Sequence, residues 1–93
     1  MGTYLRLTPA LRGVLRYLLD TESDVWGLLL AKETRHPTGT IYPLLERLER
    51  EGFVYSRWGE DGPGARRRLY ALSSKGRDWA LARLGTNERL DLE

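Results

Sequence analysis

The first part of the chain carries apolar side chains at the spacing of an α-helix. They recur at positions i, i+3, i+4, i+7 and i+8, which places them on one stripe of a helix. The stripe consists of Leu11, Val14, Leu15, Leu18 and Leu19. Before it, Thr8 is suited to the N-cap position and Pro9 to the first helical position. The pattern therefore predicts a first helix that begins at Pro9 and ends at the polar run 20–24.

The next apolar runs predict a second and a third helix. Residues 25–34 are apolar on more than one face, which is typical of a helix packed between others. Pro37 ends this helix, because proline disfavours a helical conformation in the residue before it. The third helix runs from Thr38 to about Glu51, and Gly52 supplies its stop. Its apolar stripe consists of Ile41, Leu44, Leu45 and Leu48.

After Gly52 the pattern changes from that of a helix to that of strands. Residues 53–58 are rich in β-branched and aromatic side chains that favour extended backbone, and residues 66–72 are predicted to form the returning strand. The segment 59–64 between them contains three glycines and a proline, which is typical of a loop. Two strands joined by such a loop predict a β-hairpin.

A last helix is predicted from Ser74 to about Leu84, with Ser73 as its N-cap and Gly85 near its end. Three helices, a two-stranded hairpin and a C-terminal helix indicate a mainly α fold with a small β-hairpin, the winged helix-turn-helix. We divide the chain into an N-terminal arm, a winged helix-turn-helix DNA-binding domain, and a short C-terminal helix with its tail. These segments are residues 1–7, 8–72 and 73–93, and the last is the expected dimerisation element.

In this fold the third helix enters the major groove of DNA, and the hairpin, or wing, contacts the backbone or the minor groove. The N-terminus of a helix attracts phosphate, and threonine hydroxyls bond phosphates or base edges. Tyr42 follows the core residue Ile41, so we expect it to face away from the core. The candidate DNA-binding residues are Thr38, Thr40, Tyr42 and Arg47 in the helix and Arg66, Arg67 and Arg68 in the wing.

The alternation of a strand directs neighbouring arginines of this triplet to opposite faces of the wing. One set can lie along DNA. The other set can pair with Glu60 or Asp61, or pack on Trp58. The competing interpretation of the triplet is an ordinary solvated charge run, and that of the third helix is an ordinary exposed polar face.

Composition narrows the classes of function. The 93 residues have a net charge of +2 and contain no cysteine and a single histidine, so thiolate catalysis and cysteine-based zinc sites are excluded. The whole basic excess lies in residues 35–72. We find no convincing catalytic set, phosphate-binding loop or metal site, and no apolar run of membrane-spanning length. We therefore expect a cytoplasmic, nucleoid-associated protein that is not an enzyme and needs no cofactor.

The stretch from Thr38 to Val54, TGTIYPLLERLEREGFV, resembles the signature G-T-[LI]-Y-P-x-L-x-x-L-E-x-x-G-[LF]-[VI] of the PadR family of regulators. The run RRLYALSSKG at residues 67–76 is similar to the family's wing strand and the Leu-Thr-x-x-Gly segment after it. The resemblance covers about residues 8–84. It implies a winged-helix DNA-binding domain, a homodimer and repression of transcription. It matches Thr40 and Tyr42 to the family's recognition-helix positions, and Arg67 and Arg68 to its basic wing.

The chain departs from the family in several places, one of them Leu29, which occupies a place that is commonly polar. Trp26-Gly27-Leu28 stands where the family often has His-Gly-Tyr, and the predicted C-terminal helix is short. The candidates for a dimer contact or for a ligand are Leu11, Trp26, Trp79, Leu81 and Leu84, although ordinary packing is the simpler interpretation of both tryptophans.

The expected partners are a double-stranded DNA operator and a second copy of the chain. Two alternatives remain open. The near-neutral charge and the acidic side chains of Glu46, Glu49 and Glu51 are compatible with a winged-helix module that binds proteins rather than DNA. The tryptophans are compatible with a regulator whose DNA binding is controlled by a small aromatic effector.

Overall fold

Four helices and three strands make up the part of the chain that the computed structural model describes, which comprises residues 5–21, 23–60 and 66–92. In chain order they are α1 (Pro9–Asp20), β1 (Val25–Trp26), α2 (Gly27–Thr34), α3 (Thr38–Arg50), β2 (Val54–Glu60), β3 (Arg66–Leu72) and α4 (Ser74–Leu92). The strands form one antiparallel sheet in the order β1-β3-β2. The predicted winged helix-turn-helix is confirmed.

The predicted starts of the first and last helices are confirmed by their caps. The Leu11 amide donates to the Thr8 hydroxyl at 3.2 Å, and the Gly76 amide donates to the Ser73 hydroxyl at 2.9 Å. Such bonds satisfy amide groups that have no partner inside the helix. At the end of α3, Gly52 takes a φ of 82°, a left-handed conformation that glycine adopts without a steric penalty.

The prediction that residues 25–34 form one helix is wrong at its start. Val25 and Trp26 form β1, which pairs with Tyr70 and Leu69 of β3. Both side chains favour extended backbone, and β3 offers them a free edge. The helix begins only at Gly27 and ends where Arg35 takes a left-handed φ of 62°.

The C-terminal helix is longer than predicted. It continues through Gly85 to Leu92. A glycine inside a helix costs only about 1 kcal/mol relative to alanine, so Gly85 alone does not end the helix. The helix also holds the segment before α1, because the Arg83 guanidinium donates to the Leu5 carbonyl at 2.7 Å. Leu5 itself is buried, so this end of the expected arm belongs to the core.

The core lies between the first three helices, the sheet and α4. The largest fully buried side chains come from the predicted stripes and from α2, namely Val14, Leu11, Leu15, Leu30, Ile41, Leu45 and Leu48. The sheet contributes Val25, Val54 and Tyr70, and α4 contributes Ala80 and Leu84. Burial of this apolar surface fixes α3 against the sheet and so sets which of its residues stay exposed. Within the described residues, every helix is too short or too polar to cross a membrane.

Candidate nucleic-acid interface

The first turn of α3 is an open surface. Thr38, Gly39 and Thr40 are all exposed, and a Cβ built on Gly39 would meet no atom within 4 Å. Pro37 occupies the N-cap position, where no side-chain hydrogen bond caps the helix. The positive end of the helix dipole and its first amide groups therefore face outward, which suits an anion such as a phosphate.

Arg47 extends this surface along α3. It is exposed and lies seven residues after Thr40, close to two turns, so both residues are on one side of the helix. The buried residues Ile41, Leu45 and Leu48 form the other side. Thr40 and Arg47 thus lie on one exposed side of the helix, whereas Thr38 lies in line with the buried stripe and is exposed at the N-terminal end of α3.

Tyr42 follows the buried Ile41 in α3 and lies on a different side of the helix from Thr40 and Arg47. Its side chain is half-buried and packs against the core, so it faces away from the core only in part. The ring covers Gly27, where a Cβ would be 2.8 Å from the Tyr42 Cε1 atom and 3.0 Å from its hydroxyl oxygen. The glycine at the start of α2 is therefore explained by its close contact with Tyr42 of α3.

We expect Gly27→Ala to lower the free energy of unfolding by about 1–3 kcal/mol, the usual cost of forcing extra volume into a packed site. Tyr42→Ala would remove the clash, so the alanine at position 27 is expected to cost much less in that background. Urea denaturation of the four proteins of this double-mutant cycle measures both effects. Equal costs of Gly27→Ala in the two backgrounds would show that the ring does not restrict this position.

The wing directs its arginines to different faces, as the alternation of a strand predicts. The Arg67 guanidinium lies 4.0 Å from the centre of the Trp26 ring of β1. Arg68 points to the other face, where its guanidinium lies 5.0 Å from the centre of the Trp58 ring. Arg66 pairs with Glu60 in the strand register. The predicted partners Glu60 and Asp61 cannot be assigned, since their side chains, and that of Arg66, lie outside the described part of the chain.

A carboxylate of α3 lies between the helix and the wing. The Glu49 Oε2 atom accepts a hydrogen bond from the Ser56 hydroxyl of β2 at 2.7 Å, and it lies 3.9 Å from the Arg68 Nη2 atom of β3. Burial raises the pKa of the neighbouring Tyr70 hydroxyl, and the Arg68 guanidinium partly offsets this effect. The sequence indicates Glu49 only as one of three acidic side chains near the end of α3, not as a residue that contacts the wing. Its position four residues after Leu45, beside the buried stripe, was the available signal.

A second ion pair lies on the other face of the sheet and joins β2 to the segment before β1. The Arg57 guanidinium of β2 pairs with the Asp24 carboxylate, next to β1. Arg57 lies two residues before Gly59 in β2, and Gly59 is the register partner of Arg67 in β3. Because side chains alternate between the faces of a strand, Arg57 and Arg67 lie on the same face of the sheet. On this face of the wing, Asp24 therefore holds the Arg57 guanidinium and Trp26 holds the Arg67 guanidinium.

The candidates for a dimer contact or a ligand include both buried and exposed residues. Leu11 and Leu84 are buried in the core of the chain, with 1% and 3% exposure. Trp79 stacks on Phe53 with ring centres 4.2 Å apart, which is ordinary packing. Leu81 is 53% exposed. An open groove of about 390 Å³ between α1 and α4 is lined by Arg16, Leu19, Asp20, Arg77, Leu81, Leu84 and Gly85.

Residues 17–82 match the model of the transcriptional regulator PadR-like family. None of the curated proteins matches the chain.

Several solved structures share the fold. A PadR family transcription regulator from Clostridium difficile is 23% identical with a TM-score of 0.71, over 86% of this chain and 90% of that chain. A PadR-like transcription factor from Bacteroides fragilis is 25% identical with a TM-score of 0.67, over 89% and 85% of the two chains. The Bacillus subtilis PadR in complex with operator DNA is 21% identical with a TM-score of 0.69. The match covers 78% of this chain but only 45% of that PadR chain.

Proposed function

Since this chain belongs to the transcriptional regulator PadR-like family, as its signature predicted, we propose that it binds double-stranded DNA in a sequence-specific manner and represses transcription. The observation that carries the proposal is the exposed first turn of α3, with Thr38, Gly39 and Thr40 on an open helix N-terminus beside an arginine-rich wing. The Bacillus subtilis PadR of similar fold is in complex with operator DNA, which supports the same partner here.

The residues of α3 have distinct parts in this proposal. The hydroxyls of Thr38 and Thr40 meet phosphates or base edges in the major groove, and Arg47 contacts phosphate or guanine farther along the helix. Tyr42 supports the helix through Gly27, and its partly exposed side chain contributes a further contact. The surface is therefore a helix N-terminus with one arginine two turns away.

The wing supplies arginines that reach the backbone or a narrow minor groove. Arg67 rests on Trp26, and Arg68 rests on Trp58 close to α3. An aromatic ring under a guanidinium holds it in place without consuming its hydrogen-bond donors. The rings thus favour orientations in which Arg67 and Arg68 contact a DNA phosphate. We propose that Arg66 also contacts phosphate.

The active species is a homodimer in this proposal. Two symmetry-related copies of α3 would read half-sites about 34 Å apart, one turn of the DNA helix. Leu81 and the groove between α1 and α4 are one part of the described surface that suits contact with a second copy, because Leu81 is an apolar side chain that is 53% exposed there. The tryptophan candidates for an aromatic effector have ring or cation partners within the chain, which supports a packing role for Trp79 and for Trp26.

Fluorescence anisotropy of labelled duplex DNA from upstream of the protein's own gene tests the proposal. We expect tighter binding to this DNA than to a scrambled duplex, and an affinity that falls steeply as salt rises, because phosphate contacts release counterions. Equal and weak binding to both duplexes, or none at low salt, would contradict the proposal and favour a winged helix that binds proteins.

Arg67→Ala is expected to weaken binding to both duplexes and to lower the slope of log affinity against log salt by about 1. The loss of one phosphate contact acts on all sequences alike. Arg6→Ala is the matched control, because Arg6 is exposed but lies outside the proposed interface. If the Arg67→Ala variant has the parent's affinity and salt slope, Arg67 does not contact the DNA.

A further inference from the structure

One carboxylate oxygen joins the recognition helix to both strands of the wing. Glu49 lies in the last turn of α3, and its Oε2 atom accepts the hydrogen bond of Ser56 from β2. The same oxygen lies 3.9 Å from Arg68 of β3. The contact thus ties together the two elements that the proposed function places on DNA.

Arg68 is held from two sides. Glu49 lies on one side, and Trp58, its partner in the strand register, lies beneath the guanidinium at 5.0 Å. A guanidinium carries five N–H donors, so a contact with one carboxylate oxygen leaves donors for a further acceptor. The side chain of Arg68 is 37% exposed, which keeps those donors within reach of a ligand.

This arrangement contributes little to the stability of the fold. Both side chains of the ion pair are 37% exposed, and ion pairs in contact with water are screened. A carboxylate on a DNA-binding surface also repels phosphate. Stability of the fold therefore does not explain why Arg68 is held between Glu49 and Trp58 where α3 meets the wing.

We propose that Glu49 is a positioning residue that directs Arg68 to a DNA phosphate lying between the contacts of α3 and those of the wing. Ser56 fixes the carboxylate by donating to Oε2, and Trp58 limits the guanidinium to one orientation. The inference rests on the proposed function, since it requires DNA on this surface. It makes Arg68 the residue that sets the relative position of helix and wing on the duplex.

Glu49→Gln and Glu46→Gln provide a matched pair of variants. Both glutamates lie on α3, both changes remove one negative charge, and Glu46 is exposed with no part in the cluster. Simple electrostatics predicts tighter DNA binding for both variants. The positioning role predicts opposite signs: Glu46→Gln binds somewhat tighter, whereas Glu49→Gln binds the upstream duplex about tenfold more weakly, the effect of one charge-assisted hydrogen bond.

The salt dependence separates positioning from a general structural effect. Glu49→Gln is expected to lower the salt slope by about 1, because Arg68 no longer reaches its phosphate. Arg68→Ala is expected to weaken binding as well, and the two changes combined should cost no more than Arg68→Ala alone. Ser56→Ala, which keeps every charge, is expected to act in the same direction as Glu49→Gln, and thermal unfolding of each variant verifies its folded state.

The outcomes distinguish this inference from the proposed function. If the parent prefers the upstream duplex but Glu49→Gln tightens binding like Glu46→Gln and keeps the salt slope, the positioning role is overturned and the proposed function stands. A parent that binds no duplex at low salt overturns both. Weaker binding, a lower salt slope and no additional loss with Arg68→Ala support the inference.

Discussion

Gly76→Ala is expected to lower the free energy of unfolding by about 3 kcal/mol, at the upper end of the usual cost of overpacking. A Cβ at this position would lie 1.7 Å from the Phe53 carbonyl oxygen and 2.6 Å from the carbonyl carbon. Both are backbone atoms, which cannot rotate away as a flexible side chain does. The start of α4 would have to move away from Phe53, with loss of the ring stacking between Phe53 and Trp79.

Gly85→Ala is the matched control for this prediction. It makes the same substitution in the same helix, where a Cβ would meet no atom within 4 Å. Alanine is the better helix former, so this variant is expected to gain up to about 1 kcal/mol. Urea denaturation followed by circular dichroism measures both changes, and their opposite signs exclude a general effect of alanine in α4. A Gly76→Ala protein as stable as the parent would show that the backbones are not in close contact.

Gly39→Glu is expected to weaken DNA binding by about 100-fold, because a carboxylate placed against phosphates costs several kcal/mol. The position is exposed, and a Cβ there meets no atom within 4 Å, so the fold tolerates the side chain. A negative charge in the first turn also stabilises a helix, by about 0.3–1 kcal/mol. The variant should therefore lose DNA binding while its free energy of unfolding stays equal or rises.

Gly39→Gln isolates the charge in this experiment. Glutamine has nearly the same shape as glutamate but is neutral, so any loss that it shares with Gly39→Glu reports bulk alone. Anisotropy at low and moderate salt gives the two affinities, and the difference between them should shrink as salt rises. Equal affinities of the two variants would place the N-terminus of α3 away from the DNA backbone.

The elements with strong local periodicity were predictable from the sequence. The stripe of α1, the stripe of α3 and the hairpin pattern each depend on neighbours within a few residues, and the structure confirms them. Strand β1 was not predictable, because Val25 and Trp26 adopt extended backbone only by pairing with Tyr70 and Leu69, more than forty residues away. The end of α4 was missed because Gly85 weakens a helix without ending it.

The candidate interface also has some features that local sequence patterns predict and others that depend on distant contacts. The exposure of Thr40 and Arg47 follows from their positions off the buried stripe of α3, and Thr38 is exposed because it is the first residue of the helix. The contact of Tyr42 with Gly27 depends on how α2 and α3 cross, which no local pattern shows. Strand alternation correctly separated Arg67 from Arg68, but their ring partners depend on the sheet pairing and on β1, which was not foreseen.

The shortness of β1 has a consequence for the behaviour of the protein at high concentration. In the described part of the chain, β1 covers β3 only at Leu69 and Tyr70, so the edge of β3 at residues 66–68 has no strand beside it on that side. An open strand edge invites a strand of another molecule and so promotes aggregation. All three residues on this edge are arginines, and an incoming copy would bring the same positive charges against them. The arginine triplet thus also protects solubility, and neutral replacements there should be screened for aggregation before any change in DNA affinity is interpreted.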